Sequence, residues 1–241
     1  MKTRTFILLV ALLATAAHAA DQKPLLFLGN SYTGQSGKAI REVFKRTAPE
    51  YTITTVTPGG KNLAFHAEKH MGKVTEKKWH TVVLQCQSQT PGLPGNHGNG
   101  FQKAADQLSD AIRKNGSLGV LFQTWGRRDG DKRNPKLYKT FEIMNGKLEK
   151  AYTSAAKRNR IKRAPVGAAF ALVKKQDPEL FEGLYKGDGS HPSGKGAYLT
   201  ACVMFQTITG KAATTITWDG GFPDQAETLR QLASRAVMTA R

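Results

Sequence analysis

Short apolar segments that alternate with longer segments of helical periodicity are the strongest constraint on how this chain can fold. Five segments predict strands, at residues 25–29, 52–57, 81–85, 118–124 and 164–167. The other segments predict helices, at residues 37–48, from Leu63, at 101–115, 137–159 and 197–208, and from Asp224. Short apolar strands separated by helices are typical of parallel sheets buried on both faces. Because parallel crossovers are right-handed, the pattern predicts an α/β fold, a doubly wound three-layer α/β/α domain around a five-stranded parallel sheet.

The length and composition of the chain fit one globular domain. A chain of 241 residues can bury a sizeable core as a single unit, and the sequence contains no internal repeat and no low-complexity linker. With 39% hydrophobic and 22% charged residues and two cysteines, it is neither a disordered protein nor a disulfide-rich miniprotein. We therefore expect a single domain over residues 20–241.

The first nineteen residues predict a secretory signal peptide. Lys2 and Arg4 form a basic start, residues 6–17 are almost wholly apolar, and Ala17-His18-Ala19 offers a cleavage site between small residues. About a dozen apolar residues fall short of the roughly 20 that a membrane-spanning helix needs. No later segment is apolar for long enough to span a membrane. We expect a mature protein in the periplasm or outside the cell, without a membrane span after cleavage.

The chain is strongly basic, with 36 Lys and Arg residues against 18 Asp and Glu residues. Without Lys2 and Arg4 the net charge is still +16. Such a charge attracts anionic polymers, among them acidic polysaccharides. Residues 157–163 hold five basic residues in seven, which in an intracellular protein would indicate a nucleic-acid patch. The predicted export argues against a nucleic-acid partner, and we expect a solvated basic face away from the carboxyl ends of the strands.

The two cysteines leave their redox state open. Cys86 closes an apolar strand and Cys202 lies in an apolar helix. An oxidising compartment would allow the two to form a disulfide. Two free buried thiols fit the sequence equally well.

Candidate catalytic residues lie at one predicted edge of the sheet. Ser31 follows the first strand in the run Gly29-Asn30-Ser31, and loops 29–37, 87–100 and 125–135 all leave the carboxyl ends of strands, where open α/β sheets bind ligands. Near the C-terminus, Asp188 precedes His191 by three residues, with Gly189 between them. A carboxylate at this spacing can accept a hydrogen bond from His191 Nδ1, which leaves Nε2 free to take a proton from a serine.

The runs Gly29-Asn30-Ser31 and Asp188-x-x-His191 resemble blocks one and five of the SGNH (GDSL-type) hydrolases in their order and separation. The resemblance implies a flavodoxin-like fold, a Ser31-His191-Asp188 triad and ester hydrolysis without a metal or organic cofactor. It also implies oxyanion donors, for which Ser31 and Gly60 match. Block three departs from the family, because Leu84-Gln85-Cys86-Gln87-Ser88-Gln89 has no Gly-x-Asn-Asp, although it resembles a secreted branch with a Leu-Gln-x-Gln-Ser run. We favour Gln87 as the third donor and keep Gln89 as the direct positional match.

Other side chains are candidates for lesser roles. Asn30, Trp125 and Arg127 are candidates for the substrate rim, although Trp125 and Arg127 fit an ordinary surface loop as well. His66 and His70 are four residues apart on a predicted helix and could share a metal, but without a glutamate between them a solvated helix face is the better interpretation.

The leading hypothesis is a secreted or periplasmic serine esterase whose substrate is an ester, with O-acetyl groups of an acidic or neutral polysaccharide as the favoured source. A lipid esterase or lysophospholipase is a second enzyme hypothesis, which the polar, glycine-rich loop 87–100 disfavours. The alternative without catalysis is a weakly active domain of the same fold that binds acidic glycans, since a fold does not by itself imply activity. The sequence does not indicate an oligomeric state.

Overall fold

The structure of the protein, a computed structural model, describes residues 22–240. The predicted signal peptide, residues 1–19, lies outside the described residues. Among residues 22–240, no helix combines the length and the apolar character that crossing a membrane requires.

Five parallel strands form the central sheet, and their order is β2-β1-β3-β4-β5. The strands are β1 (Lys23–Leu28), β2 (Tyr51–Val56), β3 (Thr81–Leu84), β4 (Leu118–Gln123) and β5 (Lys162–Pro165). In the register, Leu28 at the end of β1 pairs with Val56 and Leu84 at the ends of β2 and β3, so these three strands end side by side. The predicted three-layer α/β/α fold with a five-stranded parallel sheet is confirmed.

Nine α-helices and two short 3-10 turns connect and cover the strands within residues 22–240. The helices are α1 (Ser31–Thr47), α2 (Leu63–Lys69), α3 (Met71–Thr75), α4 (Asn96–Lys114), α5 (Phe141–Asn159), α6 (Val166–Gln176), α7 (Pro178–Glu182), α8 (Gly194–Thr209) and α9 (Pro223–Thr239). The 3-10 turns are Thr90–Gly92 and Ala213–Thr215.

The starts of helices α1 and α4 differ most from the sequence expectation. Helix α1 begins at Ser31 rather than at residue 37, because the side chain of Asn30 caps it by accepting a hydrogen bond from the backbone N–H of Tyr32. Helix α4 begins at Asn96, inside the predicted loop 87–100. Gly98 permits close packing there, since a Cβ at this position would overlap the carbonyl oxygen of Leu93.

Alternate residues of each strand enter two separate cores. Leu25 and Phe27 pack with helices α1, α6, α8 and α9, whereas Leu26 and Leu28 pack on the opposite face with α2, α3, α4 and α5. This period of two along the strand places one helical layer on each face of the sheet. Cys86 and Cys202 are free thiols, buried in the two different cores.

The basic run 157–163 lies at the end of α5 and the start of β5, at the opposite end of the sheet from the carboxyl ends of the strands. Its side chains are not uniformly solvated. The Arg158 guanidinium pairs with Asp106, and the Arg163 side chain is only 9% exposed and contacts Gln123 and Glu149. The run is therefore partly built into the protein, away from the edge that carries Ser31.

The strand order places a crevice beside β1. The chain passes from β1 to β2 on one side and then returns to β3 on the other, so the connections leaving β1 and β3 diverge. Ligands of open α/β sheets bind at such a switch point, outside the carboxyl ends of the strands. The turn at residues 29–31 follows β1, and residues 85–89 follow β3.

Candidate active site

The structure places Ser31 at the first position of helix α1, directly after the turn that leaves β1. Its Oγ lies 2.9 Å from His191 Nε2, although the two residues are 160 positions apart in sequence. The backbone N–H of Ser31 has no acceptor among residues 22–240. Because the N-terminus of a helix carries a partial positive charge, this position favours negative charge next to the hydroxyl.

Asp188 orients His191 through a short loop. The Nδ1 of His191 lies 2.5 Å from Asp188 Oδ2, while Asp188 Oδ1 accepts the backbone N–H groups of Ser190 and His191, each at 2.9 Å. The turn between the two side chains requires Gly189, whose φ is +63°, a conformation that other residues rarely adopt. With Nδ1–H donated to the carboxylate, Nε2 presents a lone pair to Ser31.

The surroundings keep the Asp188 carboxyl ionised. Partial burial acts to raise its pKa, but the hydrogen bonds from the His191 ring and from the backbone of His191 and Ser190 outweigh it and lower the pKa to about 2. The carboxylate therefore keeps its negative charge at neutral and mildly acidic pH, where it can stabilise an imidazolium.

A column of aromatic rings supports the loop that carries His191. Tyr32 stacks on Trp125 with 4.7 Å between ring centroids, and Trp125 stacks on Phe170 at 4.5 Å. Trp125 Nε1 donates to the Ser190 carbonyl at 3.1 Å, and the Tyr32 hydroxyl lies 2.7 Å from Ser190 Oγ. The edge of the Tyr32 ring also faces His191.

The prediction of Trp125 at the substrate rim is wrong. Its side chain is 0% exposed, because the indole ring fills the space between Tyr32 and Phe170 below the catalytic loop. Arg127, two residues further, does line the pocket. Asn30 also lines it, but the residue is only 2% exposed, and its Nδ2 donates to the Lys61 carbonyl.

Two buried side chains hold the turn that precedes Ser31, and sequence reasoning assigned neither of them this role. Gln85 Oε1 accepts the Asn30 N–H and the Thr33 hydroxyl, both at 2.8 Å. His66 Nε2 lies 2.8 Å from the carbonyl oxygen of Gly29 and must donate to it. A polar residue at the buried end of β3 is the signal that could have singled out Gln85.

The expectation that His66 and His70 form a solvated helix face is wrong for His66. Its side chain is 0% exposed, because it reaches under the Gly29 turn. Its Nδ1 lies 3.1 Å from His70 Nδ1. Burial lowers the pKa of His66. The hydrogen bond to Gly29 acts to raise this pKa, and the neighbouring His70 acts to lower it further. Within residues 22–240, no group of three or more potential ligands surrounds this pair for a metal ion.

Of the residues predicted to bind the oxyanion, Gly60 and Gln87 lie at the pocket and Gln89 does not. Gly60 and Gln87 both line the pocket that contains Ser31. The Gly60 N–H has no acceptor within residues 22–240, and its φ of +69° favours glycine. Gln89, by contrast, is buried, and its Nε2 donates to Asp131 at 2.6 Å. Gln87 is therefore the glutamine that the structure brings to the site.

Gln87 is held in place by its own loop. Its Oε1 accepts the backbone N–H groups of Gln89 and Thr90, at 2.8 and 3.1 Å, and the Thr90 hydroxyl at 3.0 Å. Its Nε2 donates one hydrogen to Gln89 Oε1 at 2.6 Å. Because an amide nitrogen has two hydrogens, the second is free of that contact.

The pocket has a volume of about 320 Å³, and most of the residues that line it are polar in type. Apart from Gly60 and the aromatic ring of Tyr32, the residues that line it have polar side chains. The full set is Asn30, Ser31, Tyr32, Gly60, Gln87, Ser88, Arg127, Arg133, Asp188, Ser190 and His191. No aliphatic side chain of the described chain contributes to this surface. A larger cavity, of about 520 Å³, lies at the opposite end of the sheet around Arg163 and is remote from the triad.

Comparison with solved structures identifies relatives of the fold. A DUF4886 family protein from Bacteroides uniformis aligns over 90% of this chain and 95% of its own, with a TM-score of 0.76 and 19% identity. A candidate SGNH hydrolase from Slackia heliotrinireducens aligns over 78% and 99%, with a TM-score of 0.66 and 25% identity. An acetyl xylan esterase aligns over 76% and 98%, with a TM-score of 0.62 and 17% identity.

No protein-family model and no curated protein matches the chain at a significant level. The structural relatives include SGNH hydrolases, GDSL-like lipases and esterases, which agree with the motifs around Ser31 and His191. The sequence resemblance to the SGNH/GDSL-type hydrolases is thus confirmed at the level of the fold, and this protein has the SGNH-hydrolase fold.

Proposed function

We propose that this protein is a serine esterase, with Ser31 as nucleophile, His191 as general base and Asp188 as the residue that orients and stabilises the imidazolium. One observation carries the proposal. A continuous chain of hydrogen-bond distances, 2.9 Å and then 2.5 Å, joins Ser31 Oγ to His191 and His191 to Asp188 beside an open pocket. This arrangement activates a hydroxyl for acyl transfer.

The reaction has two halves. Ser31 Oγ attacks the ester carbonyl while His191 Nε2 takes the hydroxyl proton, and the tetrahedral intermediate collapses as His191 returns that proton to the departing alcohol. Water then attacks the acyl carbon while His191 takes its proton, the bond from that carbon to Ser31 Oγ breaks, and His191 returns the proton to Oγ as the carboxylic acid leaves. Asp188 stays ionised throughout and offsets the charge on the ring.

The developing oxyanion would accept hydrogen bonds from the backbone N–H groups of Ser31 and Gly60 and from the Gln87 amide. The two backbone donors have no acceptor in the described part of the chain, so a substrate oxygen would not have to displace an existing bond. Such pre-oriented donors are each worth about 10²–10³-fold in rate in serine hydrolases. The glutamine would thus take the place that an asparagine holds in the family pattern.

A test of the Gly60 assignment compares two neighbouring glycines. Gly60→Ala is expected to lower the free energy of unfolding by about 1–2 kcal/mol, because a residue with a Cβ is strained at a φ of +69°. Relief of that strain should also displace the Gly60 N–H from the oxyanion and lower kcat/KM by about 10²-fold. Gly59→Ala is the control, because Gly59 has no positive φ and a Cβ there meets nothing within 4 Å. Equal losses in both variants would contradict the assignment.

The polar lining of the pocket supports a short acyl group. A long acyl chain would need apolar surface to leave water, and no aliphatic side chain of residues 22–240 lines this pocket. This argues against a lipase or lysophospholipase. One structural relative is an acetyl xylan esterase, and together with the basic charge of the chain it supports O-acetyl groups of a polysaccharide as the substrate of an exported enzyme. The intact triad distances argue against a domain that only binds glycans.

The test measures hydrolysis and labelling of the purified protein. With 4-nitrophenyl esters of increasing acyl length, kcat/KM should be highest for acetate and should fall steeply by octanoate. A 4-nitrophenyl alkylphosphonate should release one equivalent of nitrophenol and leave its mass on the peptide that contains Ser31. A preference for octanoate would refute the short-acyl part of the proposal, and a label on a different residue would refute the assignment of the nucleophile.

A further inference from the structure

We infer that Arg127 and Arg133 form an anion subsite beside the triad, which binds a carboxylate or similar oxyanion on the alcohol part of the ester. The inference rests on the proposed function and deepens it by giving the substrate class, a short-chain ester of a negatively charged alcohol. Of the described residues that line the pocket beside Ser31, two carry a lysine or arginine side chain, and these are Arg127 and Arg133.

Arg127 is held in a defined orientation next to the triad. Its Nη1 donates to Asp131 Oδ1 at 2.6 Å, and its side chain is 20% exposed. Burial raises the pKa of the Tyr32 hydroxyl, and the positive charge of Arg127 lies close enough to oppose that rise. The Tyr32 ring in turn contacts His191. The Arg127 Nε is buried and has no acceptor in residues 22–240. The guanidinium is therefore only partly satisfied by the protein.

Asp131 pairs with Arg127 from beneath the pocket and does not itself reach the pocket surface. Its side chain is 0% exposed and is not part of the pocket lining. Besides Arg127, it accepts Gln89 Nε2 and Asn134 Nδ2, each at 2.6 Å, and the Arg133 N–H at 3.2 Å. Burial acts to raise the pKa of Asp131, but these donors outweigh it and the pKa is lowered. Asp131 thus acts as a buried anchor that orients Arg127 and shapes the loop that carries Arg133.

Arg133 is exposed at the other side of this loop and has no carboxylate within ion-pair distance in residues 22–240. Arg128, in contrast, pairs with Asp129 and Glu182. The acidic side chain that does line the pocket, Asp188, is engaged with His191. Two guanidinium groups with free donors can bind a carboxylate in the bidentate manner that arginine favours.

The charge belongs to the alcohol part of the substrate. The acyl part is expected to be short, because the pocket offers it no aliphatic surface. An acetyl group carries no anion of its own. The negative group that meets Arg127 and Arg133 must then come with the alcohol, as in an acetylated sugar acid.

A matched pair of acetate esters tests the inference. 4-Acetoxybenzoate carries a carboxylate on the leaving group, and methyl 4-acetoxybenzoate is its neutral counterpart. We expect the wild-type protein to have a higher kcat/KM for the anionic ester, after each rate is divided by its hydroxide-catalysed rate. Arg133→Ala should lower the ratio of anionic to neutral kcat/KM by about tenfold, the usual scale for loss of one hydrogen bond to a charged group.

Lys132→Ala is the control, because it removes the same charge one residue away from Arg133 and outside the pocket lining. It should leave the ratio unchanged. Hydrolysis of both esters without a preference in the wild-type protein, or an equal change in the two variants, would overturn the anion subsite while the esterase proposal stands. Hydrolysis of neither ester would instead refute the proposed function.

Discussion

Ser31→Ala is expected to lower kcat for 4-nitrophenyl acetate on the order of 10⁶-fold, leaving the small residual rate that substrate binding and the oxyanion donors supply. The reason is that, in the proposed mechanism, Ser31 Oγ is the atom that bonds to the acyl carbon, and His191 Nε2 lies 2.9 Å from it. Steady-state hydrolysis measures the effect, and circular dichroism verifies that the variant is folded. The phosphonate label on the Ser31 peptide should disappear at the same time.

Ser36→Ala is the matched control for this experiment. Ser36 is buried in the same helix as Ser31, and its Oγ has no hydrogen-bond partner in the described residues. Removing that hydroxyl should leave kcat within about twofold of the wild-type value, since surrounding groups lose no bond. If Ser31→Ala kept a tenth or more of the wild-type activity, an acyl-enzyme on Ser31 would be excluded as the main route.

Trp125→Ala is expected to have the largest effect on stability. The side chain is fully buried and stacked on both faces, by Tyr32 and by Phe170. Truncating a buried tryptophan lowers the free energy of unfolding by about 3–5 kcal/mol. At roughly 2–4 °C per kcal/mol for a chain of this size, Tm should fall by about 6–20 °C. Thermal and urea unfolding measure these changes.

Trp125→Phe separates packing from hydrogen bonding. The phenyl ring retains part of the stack, whereas the bond from Trp125 Nε1 to the Ser190 carbonyl is lost. Leaving that buried carbonyl without its donor should lower the free energy of unfolding by about 1–3 kcal/mol. A Trp125→Ala variant as stable as the wild-type protein would show that the aromatic column does not support the catalytic loop.

The strands and the members of the predicted triad were accessible from the sequence because their signals are local. Five short apolar runs mark the strands, and the three-residue spacing of Asp188 and His191 is sufficient for their side chains to meet across Gly189. Ser31 was placed at the functional edge because it follows a strand end, and its pairing with the other two residues came from the resemblance of both runs to the SGNH hydrolases. In these cases the chemistry follows from residues close together in sequence, or from a rule that applies to every sheet of this type.

The residues that escaped prediction depend on contacts between distant segments. The sequence around Trp125 predicts a loop residue. The side chain is part of the interior because Phe170 and Tyr32, which are distant in sequence, pack on its two faces. His66 reads as a polar helix position, yet the turn at Gly29 supplies a buried acceptor 37 residues away. The glycine-rich start of helix α4 misleads for a similar reason, because Gly98 lies where a Cβ would overlap the carbonyl oxygen of Leu93.

Asn30 joins three segments that the chain brings together at the catalytic edge. Its side chain caps helix α1 and donates to Lys61 after β2, while its backbone N–H donates to Gln85 after β3. The relative positions of the nucleophile, the Gly60 turn and the Gln87 loop are consequently set by the same register that aligns the three strands. Asn30 therefore couples these loops, and neither the Lys61 turn nor the segment after β3 can shift away from Ser31 without breaking a hydrogen bond to Asn30.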